Sequence, residues 1–84
     1  MSTQINGKSL AEQIIDKIAD HNGIKPENVS RDSMLQEDLG MDSLDVIDMT
    51  YELEKRFNVS FEDEKVERFG TVGDVISFIE ERVV

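Results

Sequence analysis

Three stretches of this chain repeat apolar residues every three or four positions, and no stretch alternates them at every second position, so a small helical protein is the fold class open to it. Leu10, Ile14 and Ile18 step by four, widened by Ala11 and Ile15. Val46, Met49, Leu53 and Phe57 form the second stripe; Val72, Val75, Ile76, Ile79 and Val83 form the third, with Phe78 to one side. Each stripe starts at a capping signal. Ser9 with Glu12 and Thr71 with Asp74 have capping-box spacing, and Asp42 is a strong N-cap residue before the second stripe. Gly23 is a good residue to close the first helix, since it adopts the left-handed conformation without strain. The spacing therefore predicts helices from Leu10 to about Asn22, from Ser43 to about Arg56, and from Val72 to near the end of the chain.

Two connections matter. Residues 24–41 form a long loop with the only proline, Pro26, which predicts a short turn over Pro26, Glu27 and Asn28. Loops of this length in compact domains are functional or pinned by buried anchors; Ile24, Val29, Met34 and Leu35 are the expected anchors, with Leu39 closing the loop onto the core. After the turn Asn58-Val59-Ser60, Phe61 is expected to point inward. Glu62 to Phe69 is expected to form a short helix, with Ser60 as N-cap, Asp63 as its box partner, and Val66 and Phe69 facing inward. The fold class is thus all-α: a small helical bundle of three longer helices plus one short helix, with a long loop between the first and second helices. Eighty-four residues make one domain, 1–84, in which residues 1–8 are a loose lead-in. With 38% apolar residues and no Trp, its core must be mainly aliphatic and its stability modest.

The charge is uneven. Residues 37–67 hold 11 acids against 3 bases, a net −8 out of a total of −10. Such a field disfavours nucleic acid and anionic membranes and favours basic protein partners. No apolar run is long enough for a membrane span, Met1-Ser2-Thr3-Gln4 lacks the features of a signal peptide, and a monomeric, cytoplasmic protein is expected. There are no cysteines, and the single histidine, His21, falls in a last helical turn where the dipole favours it. With no second His, no dedicated metal site is expected.

The acids concentrate around Ser43. Gly40 can turn the backbone and Asp42 can cap, which makes Ser43 the first residue of the second helix, with its hydroxyl in solvent. Asp42 and Asp45 oppose formation of an alkoxide and no base lies nearby, so the serine is a poor nucleophile and a better target for modification by an enzyme that brings its own base. A phosphate ester there would place its charge at a helix N-terminus. Along the same helix a second stripe, Leu44, Ile47 and Tyr51, is interleaved with Asp45, Asp48 and Glu52. One small core cannot bury both stripes, so this one is expected to face a partner.

The run Leu39-Gly40-Met41-Asp42-Ser43-Leu44-Asp45 resembles the phosphopantetheine attachment motif of acyl carrier proteins, and length, acidity and apolar spacing resemble that family from about Leu10 to Val84. The resemblance implies a non-catalytic carrier. Phosphopantetheine, derived from coenzyme A and attached to Ser43 by a phosphopantetheinyl transferase, would hold acyl groups as thioesters, importing the sulfur that the chain lacks. It would deliver them to synthase enzymes and acyltransferases, of fatty acid synthesis first and of polyketide or special lipid synthesis as the alternative. The implied partner face comprises Asp42, Leu44, Asp45, Ile47, Asp48, Tyr51 and Glu54, set against basic grooves. The implied acyl-chain cavity is lined by Leu53, Phe61, Val66, Phe69 and Val75. Lys55 and Arg56 depart from the acidic run usual in the family, and Val66, Phe69 and Val75 are bulkier than is common there. From other classes, an unmodified acidic interaction module keeps the bundle and leaves Ser43 bare, and hydrolytic use of Ser43 would need a base from another helix.

Overall fold

Helix α1, Leu10–Asn22, is closed chemically at both ends. The Ser9 hydroxyl accepts the Glu12 N–H at 3.2 Å while the Glu12 carboxylate accepts the Ser9 N–H at 2.9 Å, so two orphan donors of the first turn are satisfied reciprocally. At the other end Gly23 takes φ 68°, and its N–H and that of Ile24 return to carbonyls of the last turn. The computed structural model describes residues 9–62 and 66–83. The lead-in over residues 1–8 lies outside them. So do Asp63, Glu64 and Lys65, three of the eight residues of the short helix expected at Glu62 to Phe69; of the rest Val66 is helical, and Glu67 and Arg68 form a turn. On its described flank, the Val66 N–H donates to the Glu62 carbonyl at 3.0 Å, a helical i to i−4 bond.

Helix α2 spans Ser43–Phe57, and α3 spans Val72–Val83. The three inward stripes meet in one core: Ile14 and Ile18 from α1, Val46, Met49 and Leu53 from α2, and Val72, Val75, Ile76 and Ile79 from α3 are all buried. Phe57 packs half-buried at the edge of this core. Val83 does not belong to it, being 36% exposed in the last turn of α3, where the helix has run past its neighbours. Phe78, off the main stripe, is buried instead in an aromatic cluster, stacked on Phe61 at 4.7 Å and edge-on to Phe69 at 5.5 Å. The Arg82 guanidinium covers the outer face of Phe78 at 3.7 Å. No described helix is long and apolar enough to cross a membrane.

The long loop is fixed by main-chain bonds as much as by side chains. Pro26–Asn28 form a single 3-10 turn, as the proline predicts. Residues 31–35 then run antiparallel to the approach to α3: the Leu35 N–H donates to the Gly70 carbonyl at 2.9 Å, the Val72 N–H to Ser33 at 2.9 Å, and the Gly73 N–H to Arg31 at 2.8 Å. The pairing is a single antiparallel bridge, Met34 with Thr71, and beside it Leu35 is fully buried while Met34 stays 36% exposed. The expectation that Met34 anchors the loop is therefore corrected, and so is that for Ile24, equally exposed, which is held through its N–H to the Ala19 carbonyl. Val29 is buried as expected, and Leu39 packs half-buried against the core. Met41, which carried no periodic signal, is the third buried anchor. Gly73 sits where a Cβ would come within 3.0 Å of the Arg31 carbonyl oxygen, so the close approach of loop to helix depends on glycine there.

Leu35→Ala removes a fully buried anchor and is expected to cost about 2 to 5 kcal/mol, whereas Ile24→Ala should cost less than about 1 kcal/mol; denaturant midpoints at constant slope check the contrast. The second expectation concerns acid. The Gly70 N–H and then the Thr71 N–H, both donating to the Asp74 carboxylate, hold it below the usual carboxylate range, against a small opposing effect of burial. A depressed carboxyl contributes stability that is complete above the unfolded value of about 4 and is lost as pH falls through the lower folded value. Asp74→Asn should therefore flatten the fall of stability with pH below about 4, read from thermal melts across that range.

Candidate functional site

The long loop ends in a device that delivers Ser43 to the surface. The Asp38 carboxylate accepts the Met34 N–H at 2.7 Å, and the N–H groups of Asp38 and Leu39 both donate to the Met34 carbonyl, winding residues 34–39 into a tight turn. Gly40 breaks out of that turn at φ 68°; a Cβ there would meet nothing within 4 Å, so the backbone conformation, and not space, calls for glycine. Met41 then plugs into the core, its N–H bonded to the Leu35 carbonyl at 3.0 Å. Asp42 caps α2: its carboxylate accepts the Asp45 N–H at 2.9 Å, and Asp45 returns a longer bond to the Asp42 N–H at 3.4 Å. The Asp-x-x-Asp spacing of this reciprocal box was visible in the sequence, although only Asp42 was read from it.

Ser43 is exposed in the first turn of α2, and among the described residues its hydroxyl has no hydrogen-bond partner. The histidine that could deprotonate it is engaged elsewhere. His21 Nδ1 lies 3.1 Å from Glu52 Oε2, nine residues and about 14 Å along α2 from Ser43. A hydroxyl with no base, no internal partner and full access can be esterified by an enzyme but is not poised to attack.

A pocket of about 420 Å³ opens beside Ser43, walled by Val46, Ile47 and Tyr51 from α2 and by Val66 and Phe69 opposite, with Gln36 and Glu67 as polar lining. Of the expected cavity residues, Val66 and Phe69 stand on this wall. Leu53 and Val75 are fully buried, and Phe61 is half-buried in the aromatic cluster; none of these three is among the described lining. Gln36 and Glu67 join the pocket across the fold from segments far apart in sequence, so no local pattern could have found them.

Leu44 and Tyr51 are 71% and 56% exposed, and Ile47 is 37% exposed. The second stripe of α2 is thus outside the core, as its interleaving with acids implied. Asp42, Asp45 and Asp48 are exposed beside it. Glu54, expected on the partner face, is half-buried, and its carboxylate accepts the Phe61 N–H at 2.7 Å and ties the connection after α2 to the helix. Glu52 is also engaged, by Lys17 at 3.6 Å and by His21, which clamps α1 to α2.

Residues 12–79 match the family model described as a phosphopantetheine attachment site. The chain is 39% identical over 72 residues to the acyl carrier protein of Wolinella succinogenes, covering 86% of this chain and 95% of that one. It is 39% identical over 71 residues to the acyl carrier protein of Zymomonas mobilis, covering 84% and 91%. In structure it is similar to the acyl carrier protein from Enterococcus faecalis, with a TM-score of 0.72 at 28% identity, over 86% of this chain and 91% of that one.

Because the Asp42 carboxylate bonds an otherwise orphaned N–H, Asp42→Ala should lower the stability of the free protein by about 1 kcal/mol, while Asp48→Ala, which removes no internal bond, should change it by less than about 0.5 kcal/mol. Melts of the two variants check this, and they separate capping from docking among the acids of the face.

Proposed function

The chain belongs to the acyl carrier protein family, whose members bear phosphopantetheine, and on that premise we propose that Ser43 is its attachment residue and that it serves the synthase enzymes of fatty acid biosynthesis. It is a carrier and not an enzyme, and its cofactor is phosphopantetheine. When bound, that group supplies a thiol on which acyl groups ride as thioesters, chemistry that a chain without cysteine cannot supply itself.

The observation that carries the assignment to Ser43 is its exposed hydroxyl, unpartnered among the described residues, at the head of α2 and on the rim of the pocket. The residues around it fit a phosphate-linked arm. Among the described residues the N–H groups of Ser43 and Leu44 have no internal acceptor, and they lie at the positive end of the helix dipole, where a phosphodiester is favoured. The capping pair Asp42 and Asp45 closes the first turn of α2, which sets where the arm would be attached. The pocket beside Ser43 is of a size and lining to shelter an acyl chain from water, with Val66 and Phe69 on its wall, while Leu53, Phe61 and Val75 belong to the packing of the core.

The partners follow from charge. Asp42, Asp45 and Asp48 flank an apolar strip of Leu44, Ile47 and Tyr51, a surface that suits enzymes with basic grooves: the phosphopantetheinyl transferase, synthase components and acyltransferases. A cytoplasmic, monomeric carrier agrees with this reading.

Incubated with coenzyme A and a phosphopantetheinyl transferase, the protein should gain one phosphopantetheine by intact-mass measurement, and Ser43→Ala should gain none. Modification of that variant at another serine would overturn the assignment.

A further inference from the structure

The carboxylates of α2 are not equally available to a partner. Asp42 and Asp45 each give one oxygen to the capping box, Glu52 meets Lys17 and His21, and Glu54 accepts the Phe61 N–H. Among the described residues only Asp48 on this helix has a carboxylate with no internal bond. The two bases at the far end are unpaired in the same sense: neither Lys55 nor Arg56 has a carboxylate partner, Arg56 resting instead over the Phe57 ring at 5.4 Å. Glu52, three residues before Lys55 and four before Arg56, has the spacing of a helical ion pair, and it is engaged by α1.

Helix periodicity decides which of these groups share a face. Leu44, Asp48, Tyr51 and Lys55 follow at steps of four, three and four, so they form one ridge on the exposed side of α2. All four are exposed. Asp48 and Lys55 are two turns apart, about 11 Å along the axis, with the Tyr51 ring between them. Arg56 falls on the flank of Asp45 and Glu52, away from the ridge. The C-terminal dipole of α2 gives a stability reason for a base in its last turn, but it is satisfied equally on any side of the helix and does not select the ridge.

We propose that this ridge is a polarised docking surface whose occupant is an acyl-processing enzyme carrying a base opposite Asp48 and, about 11 Å along, a carboxylate opposite Lys55, with an apolar recess for Tyr51 between. Two opposite charges at fixed separation define a direction. A uniformly acidic helix can slide along or reverse on a basic groove, whereas this ridge has one favoured orientation, which aims Ser43 at one end of the partner's surface. A partner that is basic throughout meets Lys55 as repulsion, so the same residue excludes such partners. The proposal rests on the reading of the protein as a carrier, but docking can be measured without the arm.

The experiment measures binding of the unloaded protein to the purified condensing enzyme of the same organism, at low and moderate salt, for the unaltered chain and for Lys55→Gln, Lys55→Glu and Asp48→Asn. Lys55→Glu should raise Kd roughly tenfold and Lys55→Gln by a smaller factor, each measured well below its melting temperature, which falls slightly as the last turn of α2 loses a base. Replacing the facing carboxylate of the enzyme by Lys should restore binding to Lys55→Glu. Tighter binding of Lys55→Glu would mean that the partner surface is basic throughout, and equal binding of all variants would mean that Lys55 stays in solvent; either overturns the proposal. Loading of Ser43, followed separately by mass, reports on the carrier reading alone, so failure of one is not mistaken for failure of the other.

Discussion

The antiparallel seam between residues 31–35 and the approach to α3 is the constraint on which the functional end of this protein depends. Three main-chain bonds, Leu35 to Gly70, Val72 to Ser33 and Gly73 to Arg31, hold a loop that is otherwise too long and too polar to hold itself. Buried backbone groups must be paired, and here they are paired between a loop and a helix start, with no sheet. Leu35 is the side chain this seam drives inward, and Met41 is the one the following turn drives inward. Between those two anchors Gly40 takes its left-handed turn, and the position of Ser43 follows from both.

A second constraint is electrostatic. The acids of α2 are often thought of as a field, but most of them are also structural ligands of particular N–H groups or cations. Asp45 completes a cap, Glu54 holds the chain after the helix, and Glu52 joins α1 to α2 through Lys17 and His21. Such bonds lower the cost of crowding like charges, since each carboxylate is oriented toward a local positive dipole or cation. They also mean that net charge overstates what a partner can grip. Long-range steering responds to the sum of the charges, whereas close pairing depends on how each carboxylate is already oriented.

The helices were legible in the sequence because period and caps agree: Ser9 with Glu12, Asp42 before Ser43, and Thr71 with Asp74 mark starts that coincide with the starts of the apolar stripes. The head of the site was legible for the same reason, since Gly40, Asp42 and Ser43 act through local geometry. The loop was only half legible. Val29 and Leu35 are buried, but Ile24 and Met34 are not, because hydropathy shows that a residue can be buried while the seam decides which face of the extended segment turns inward. The bond of Glu54 to the Phe61 N–H, seven residues on, was not legible either, because it depends on a turn that periodicity does not describe. Gln36 and Glu67 reach the pocket only through tertiary packing and leave no trace in local pattern.

The division of α2 into an inward and an outward stripe is incomplete at one place, and that place is next to Ser43. Ile47 and Tyr51 are exposed, and they also stand on the wall of the pocket. Whatever covers these two side chains from outside therefore covers part of the pocket as well, and whatever fills the pocket from inside presses on the same two side chains. A core residue such as Met49 or Leu53 could not take both parts, because full burial leaves it nothing to present. An ordinary surface residue could not either, having no cavity behind it. The partial exposure of Ile47, at 37%, puts one side chain on the pocket wall and on the outer surface of the helix at once. Ile47 and Tyr51 are thus the two described side chains of α2 that any occupant of the pocket and any molecule laid on this face of the helix would both meet.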